Sequence, residues 1–585
     1  MTIRKERCLL QYKLIENSLN DINNIVKTIL LNRGVQNPQR YLNLDESVLC
    51  DWHNLDNIED AVKCFDYHFC NKHKIGILVD SDPDGYTSAA IMYKYIKSMD
   101  ETYPVLYFVH EKNKAHGLSS FDLNVFKGLD LLIIPDAGTN DTEQIEELKN
   151  VYNIETIILD HHMQEEIGKD NPAIIVNNQI SPNYSNKDCC GANVTWEFLR
   201  ALDDYYWNNY SDYYIDLVSL ANISDIMNML SEPTRYITDE GLKHIHNKLF
   251  KSLLEAQSYS TKDVISIHNI SWYITPIINA LIRIGSYEER VLLFRAFIDD
   301  YEEFDYKKRN GEIVKENIYE RVTRFCKNAK SRQDKMRDKV FEQLLDKVDL
   351  NDKVCIVEVD DDNIEGIVGL SAMKLSDAIQ RPCVVVKRMF DDNGDEVLSG
   401  SGRNFNNSPI ESLKDVLNNT ELFLWNVGHN NAFGSSLYAC ELDHVKQVLN
   451  ESLKDITYDP SYMCDFIIDI DCLSIGFIQE IDKLGWLWCT GIKEPLVAIK
   501  NICVARKDIH IQGKERDSIT FTINDIKFVQ FKLKKGDLLY NFVNDWGDDD
   551  ELIIFDIVGE CSVNNYKGIL TPQIQIKDCD RVSKN

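Results

Sequence analysis

Three times in the first third of the chain, a short apolar run ends abruptly in carboxylates or imidazoles, and this limits the folds open to it. Ile75 to Val79 runs into Asp80-Ser81-Asp82-Pro83-Asp84-Gly85, Leu131 to Ile134 into Pro135-Asp136-Ala137-Gly138, and Thr156 to Leu159 into Asp160-His161-His162. Apolar runs of this length alternating with helical patterns read as strands of a parallel α/β sheet. Functional groups in such sheets gather beyond the carboxyl ends of the strands, where all three clusters fall. After the first cluster, Ala89, Ala90, Met92, Tyr93 and Ile96 predict a helix starting near Thr87.

Carboxylates at alternate positions directly after a strand are not core residues, because unpaired buried charges cost too much; they need cations. A calcium loop of the EF-hand type requires a preceding helix and a glutamate at its twelfth position, and that position is Ile91. Gly85 permits a tight turn, and a helix starting soon after points its positive end at an anion such as phosphate. One acidic turn alone is often a solvated loop. Two adjacent histidines after an aspartate, opposite two other acidic strand ends, are harder to explain by packing. Mixed carboxylate and imidazole donors suit manganese or a similar borderline divalent ion better than calcium. Asp225, closing Leu220-Ala221-Asn222-Ile223-Ser224, supplies a further acid.

The 585 residues are too many for one core, so several domains are expected, all within an α/β fold class. Residues 1–70 read as a mostly helical lead-in, 71–240 as the parallel-sheet domain carrying the acidic clusters, and 241–350 as a helical connector. Residues 351–455 form a second α/β unit, and 456–585 alternate as β-structure, a small barrel. In the long helix predicted over about 318–345, Ile318, Val322, Phe325, Ala329, Met336 and Val340 share one stripe. Arg321, Arg324, Arg332, Lys335 and Lys339 share the next, either a solvated face or a basic wall beside a cleft.

A net charge of −30 argues against tight non-specific binding of nucleic acid, though a local basic groove can still hold a strand. The sixteen cysteines are scattered, with only Cys189 and Cys190 adjacent, so neither a disulfide framework nor a zinc ribbon has its spacing. No apolar run is long enough to span a membrane, and the first residues turn charged too soon for a secretory signal. A cytoplasmic protein with reduced thiols is the expectation.

Together these residues resemble the DHH phosphoesterase superfamily, which has an acidic DxDxDG motif, a second aspartate followed by glycine, the DHH triplet and a distal aspartate. The resemblance implies that Asp80, Asp82, Asp84, Asp136, His161 and Asp225 hold two divalent ions, Mn2+ or Mg2+, with Asp136 bridging. It implies that His162 contacts the scissile phosphate and that Asp160 orients the histidines.

The remainder is similar to the RecJ family. The matching stretches include Leu30-Leu31-Asn32-Arg33-Gly34-Val35, Val176-Asn177, Cys190-Gly191-Ala192, and Asp225 through Gly241-Leu242. Further matches are Pro276 to Arg283, Gly366 to Gly369, Gly400-Ser401-Gly402-Arg403, Gly428-His429 and Tyr566-Lys567-Gly568. That resemblance implies a parallel-sheet DHH domain, a DHH-associated domain beyond a long helix, and a C-terminal OB-like barrel. It also implies a single-strand-specific exonuclease on DNA, working 5′ to 3′, with a single-strand-binding protein or helicase as partner.

Asn279, Arg283, Ser401, Gly402, Arg403 and His429 are the implied substrate contacts; a surface ion pair for Arg403 and a capping or core role for His429 are the alternatives. Trp486, Trp488 and Phe531 stack bases or are buried. Several positions depart from the family pattern. Ile277 replaces an arginine, Leu281-Ile282 replaces Ala-Gly, and Val427 replaces a glycine. Glu111 stands where the family carries an arginine for the 5′ end, with Lys112 and Lys114 adjacent. These departures suggest a phage or mobile-element member. Two other activities compete with this reading: a nanoRNase or cyclic-dinucleotide phosphodiesterase of the same superfamily, and an inactive strand-binding scaffold.

Overall fold

A computed structural model of the chain describes residues 10–581, apart from 17, 112–114, 361–365, 392, 407, 459–460, 514–516, 534–536 and 545–546. Lys112 and Lys114 therefore lie outside the described residues. The chain divides into two compact units: Leu44–Phe405 with Ile410–Lys454, and Met1–Asn43 with Asn406–Pro409 and Asp455–Asn585.

The larger unit is built on a five-stranded, all-parallel sheet of β1 (Ile75–Val79), β2 (Val105–Val109), β3 (Leu131–Pro135), β4 (Glu155–Asp160) and β5 (Ile174–Asn177), in the order β2-β1-β3-β4-β5. β1 and β3 are buried along their whole length, as continuous apolar runs covered on both faces must be. One face packs Leu78, Leu132, Ile134 and Ile158 against Phe126, Ile145 and Leu148. Parallel pairing puts every carboxyl end on one edge, so Asp80, His110, Asp136 and Asp160 all emerge there.

The helix after β1 spans Pro83–Met99, not a later start near Thr87. Asp82 is its N-cap, accepting from the Gly85 amide at 2.9 Å, and Pro83 opens the first turn, where a missing N–H costs nothing. The acidic motif is thus the beginning of the helix rather than a loop before it.

Ile318–Leu345 forms the long helix, opened by a capping box of Asn317 and Glu320. Ile318, Val322, Cys326, Ala329, Val340 and Leu344 are buried, whereas Phe325 and Met336 are only partly so. Of the basic stripe, Arg321 and Arg324 both bind Glu316 (2.7 and 2.5 Å) and stack on Phe304 and Tyr306 of the hairpin Glu303–Lys307/Ile313–Asn317. These two arginines are structural.

Beyond this helix, β6 (Cys355–Glu358), β7 (Cys383–Phe390), β8 (Glu396–Arg403), β9 (Trp425–His429) and β10 (Ala432–Tyr438) form a second sheet in the order β9-β10-β8-β7-β6. Only β6 and β7 pair in parallel; the other three pairings are antiparallel.

The smaller unit carries a seven-stranded sheet in the order 466–469, 497–505, 552–566, 569–581, 526–530, 518–523 and 510–512. Register shifts at Ile499/Ile502 and Val558/Gly559 bend its long strands. The lead-in is not wholly helical. Gln11–Leu14 is a strand parallel to Ser461–Cys464, and the Tyr12 hydroxyl donates to Asp556 at 2.6 Å. Trp488 is buried, but Trp486 and Phe531 are 44% and 51% exposed. Among the described residues no helix is long and apolar enough to cross a membrane.

Candidate metal centre

Asp136 is the pivot of the strand-end cluster. Its amide donates to the Leu159 carbonyl across the sheet (2.8 Å), and its backbone is left-handed, at φ 65°. Aspartate tolerates that region better than most residues, and strain of this kind collects at functional sites. The following turn needs Gly138, whose φ is 101°. Gly191 approaches so closely that a Cβ there would lie 2.5 Å from Asp136 Oδ1. Gly85 plays a similar part toward Asp80: its φ is ordinary, but a Cβ would meet the Asp80 backbone at 2.8 Å. Close approach, rather than turn freedom, requires glycine at both positions.

Ligand atoms of Asp80, Asp82 and Asp136 lie within 4.8 Å of one another, as do those of Asp84, His161 and Asp225. The two groups meet through His161 Nε2, which is 3.3 Å from Asp136 Oδ1, 3.6 Å from Asp225 Oδ2 and 3.8 Å from Asp84 Oδ2. Asp225 comes from a helix end: it caps Ile215–Ser224, and Ile226 beside it is left-handed at φ 58°, an unusual conformation for a β-branched residue.

The surroundings sort these carboxylates. Asp84 accepts from the amides of Gly191 (2.7 Å) and Ala192 (2.8 Å) at the start of the helix Gly191–Tyr206, and from Ser88 Oγ. Asp80 accepts from the Gly117 amide (2.9 Å) and His116 Nδ1 (2.8 Å), with His110 Nε2 at 3.3 Å. Both Asp136 oxygens, by contrast, are buried with no hydrogen-bond partner.

Burial, then Asp84, Asp82 and Asp80, push the Asp136 carboxyl well above its ordinary range. Burial, then Asp84 and Asp82, raise Asp225, and Asp82 is pushed up to about 6 by burial and by Asp80 and Asp84. Burial also opposes ionisation of Asp80, but His116 and His110 overcome it and hold that carboxyl low. Acids crowded at this density, with two orphaned oxygens at their centre, fit divalent cations, which would take the place of protons there.

Asp160 Oδ1 accepts from His162 Nδ1 (2.8 Å) and from the amides of His161 (2.7 Å) and His162 (3.2 Å), while Oδ2 accepts from the Thr139 amide. It therefore orients the His162 ring directly but reaches His161 only through the backbone. Asn177 braces the same loop through Thr139 Oγ1 and the His162 carbonyl. Burial lowers His162, yet the Asp160 charge outweighs it and the ring is pushed up to about 9; His161 is lowered by burial and by its charged neighbour.

Sequence reasoning missed His110 and His116. Both follow β2, which ends on the same edge, and His116 stands against His162 with ring centroids 4.7 Å apart. One imidazole just past a strand end (His110) and another followed by a glycine (His116-Gly117) were the available signals.

Arg283 and Arg403 are brought together. Burial pulls Arg283 down and Asp82 opposes it, while Arg403 is lowered by burial and then by Arg283 itself. Ser401 and Arg403 share one face of β8, where a Cβ at Gly369 would touch both side chains. Gly402 points the other way, against the Phe433 ring. Among the described residues Arg403 has Gly402 O and Phe433 O as its acceptors and no carboxylate partner. His429 is fully on the surface, so it is not a core residue. Arg403 and His429 both register against Ala432, which places them in one row about 10 Å apart. Asn279 is half-buried in the helix Thr275–Ile284 that carries Arg283.

Comparison with known proteins agrees with this architecture. The model of the DHH family N-terminal domain matches residues 74–222, and that of the RecJ OB domain matches residues 464–578. The SPbeta prophage protein YorK of Bacillus subtilis, whose name describes a single-strand DNA-specific exonuclease, is 35% identical over 581 residues, covering 98% of each chain. The single-stranded-DNA-specific exonuclease RecJ of the same organism is 24% identical over 576 residues, 95% of this chain and 67% of that one. The crystal structure of RecJ in complex with Mn2+ from Thermus thermophilus superposes with a TM-score of 0.73 at 18% identity, covering 98% of this chain and 79% of that one. By its sequence over nearly its full length, and by both domain matches, the chain belongs to the RecJ family of DHH phosphoesterases.

Proposed function

We propose that the protein is a metal-dependent exonuclease of single-stranded DNA that works from the 5′ end in the cytoplasm. The observation carrying this reading is the unpartnered Asp136 carboxylate at the meeting point of Asp80, Asp82, Asp84, His161 and Asp225. These six residues would hold two divalent ions, Mn2+ or Mg2+, with Asp136 between them. When bound, such ions supply Lewis acidity, lowering the pKa of water and neutralising phosphate charge.

The chain's own groups do the rest. Arg283 and Arg403, with Ser401 and the Gly402 backbone beside them, grip phosphate oxygens, for which the planar guanidinium fork is suited. Two neighbouring guanidiniums, of which Arg283 lowers the proton affinity of Arg403, favour an anion at that point. Asn279 and His429 extend the grip along the strand. Water attacks phosphorus in line as the bond to the departing nucleotide's oxygen breaks; the proton that water loses balances the one the freed oxygen takes up, and His162, held by Asp160, donates a hydrogen bond to the phosphate. Against the effect of burial, the Asp160 charge raises the proton affinity of that ring, which suits it to donate.

In this reading residues 71–240 hold the metals, 351–455 grip the substrate beyond the 241–350 connector, and 456–585 bind the trailing strand. The exposed Trp486 and Phe531 offer stacking faces there. A single-strand-binding protein or helicase would deliver the strand, and the kinship with YorK favours a prophage setting. Manganese-dependent degradation of single-stranded and duplex substrates, compared for wild type and Asp136→Ala, tests the activity. The wild type should cut only single strands and the mutant neither. Oligonucleotides labelled at the 5′ or 3′ end report polarity. Activity on dinucleotides alone would favour a nanoRNase, and no hydrolysis with any divalent ion would favour a scaffold.

A further inference from the structure

The helix Ile58–Cys70 places Cys64 and His68 one turn apart on the same face, opposite Glu155, the first residue of β4. His68 Nε2 lies 2.7 Å from Glu155 Oε2, and Cys64 Sγ lies 3.6 Å from the same oxygen. The three ligand atoms fall within 4.8 Å of one another. Asp160 ends the same strand, so about 16 Å of β-structure separates this cluster from the metal centre. The other nitrogen of His68, Nδ1, meets His73 Nδ1 at 3.1 Å, and the His73 carbonyl accepts from the Tyr103 hydroxyl at 2.6 Å.

We propose that Cys64, His68 and Glu155 form a separate site for one zinc-class divalent ion, with water completing its shell. Thiol, imidazole and carboxylate converge here from two elements, the Cys64 thiol donating to the same Glu155 oxygen that His68 meets. Thiolate, imidazole and carboxylate are the donors zinc takes, and its bonds of about 2.0–2.3 Å put tetrahedral ligands roughly 3.3–3.8 Å apart. Cys64 and Glu155 already stand at that spacing, and His68 has to withdraw by less than about 1 Å to reach it. Ligation through Nε2 leaves the proton on Nδ1, where His73 accepts it, an outer contact of the kind that orients metal-bound histidines.

Burial and Glu155 push the Cys64 thiol up to about 12, so ligation releases its proton to solvent and affinity rises with pH. The ion would tie the helix leading into β1 to the amino-terminal edge of the sheet, stabilising the native state by mass action. None of this depends on the nuclease reading.

Cobalt titration of the full chain, followed by near-ultraviolet absorbance, tests the site. The metal centre has no sulfur ligand, so a cobalt–thiolate charge-transfer band comes from a thiol elsewhere, and its loss in Cys64→Ser assigns it to Cys64. The amplitude should correspond to one thiolate-bound cobalt per chain, and Zn2+ should bleach it. It should be missing from Cys64→Ser and His68→Gln, both of which should match wild type in circular dichroism and in manganese-dependent cutting. No band in the wild type, or an undiminished band in Cys64→Ser from another thiol, would overturn the proposal.

Discussion

Asp136 combines a left-handed backbone, burial and two unpaired oxygens, each of which costs stability in the metal-free protein. Asp136→Asn keeps a residue that accepts the backbone and removes one of the crowded charges. Cleavage should fall by more than about 100-fold, as expected for loss of a metal ligand, while the melting temperature in EDTA rises. Calorimetry and a strand-degradation assay on one preparation check both outcomes. Gly191→Ala should do the opposite to stability: its Cβ would stand 2.5 Å from Asp136 Oδ1 and 2.7 Å from Asp136 Cα. Overpacking of this kind costs about 1–3 kcal/mol, and activity should fall with it because the displaced group is Asp136. Wild-type turnover in the Gly191→Ala variant would show that Asp136 does not need its present position. Arg403→Lys retains charge but loses the fork, so KM for the strand should rise with kcat less affected, measured in steady-state cleavage.

Local sequence accounts for the elements, and contacts between them decide what each contributes. The Pro83–Met99 helix begins where it does because Asp82 caps it and Pro83 suits its first turn. Both signals are present in the sequence, but an acidic turn ahead of the helix fits the same residues. In the Ile318–Leu345 helix, the apolar spacing correctly located one buried face. The neighbouring arginines could not be assigned, because Glu316 and the two hairpin aromatics lie on another element. Glu316 is buried between two arginines, so Glu316→Ala should cost about 2–4 kcal/mol by stranding both cations. Denaturant unfolding measures that loss. Catalytic turnover of the surviving native protein should be unchanged, since the hairpin touches none of the metal ligands.

Taken together, the carboxylates of the centre give the protein a pH dependence that metal should reverse. Asp82 is pushed up to about 6, and Asp136 and Asp225 are raised as well. The metal-free native state therefore holds protons that the unfolded chain releases above about pH 4. Stability from these groups is fully present below that pH and is lost as pH rises through their folded values. Divalent ions take the place of those protons. The difference in melting temperature between manganese and EDTA should therefore widen steadily from pH 5 to pH 8. A difference that stays flat with pH would mean that these carboxylates do not face a cation.

The sequence by itself determined what neighbours along the chain can encode: strand runs that stop at acids, helical periodicity, and motif spacings that carry the family resemblance. Those signals single out Asp80, Asp82, Asp84, Asp136, Asp160, His161, His162 and Asp225. The tertiary structure decided what depends on closing long loops. It set His116 against Asp80 across 36 residues and the Gly191 amide against Asp84 across 107, and it aligned Arg403 with His429 through Ala432. It also paired Gln11–Leu14 with a strand at the far end of the chain. A residue's local pattern fixes its element and face, but its distant partner is set only when packing brings separate elements together.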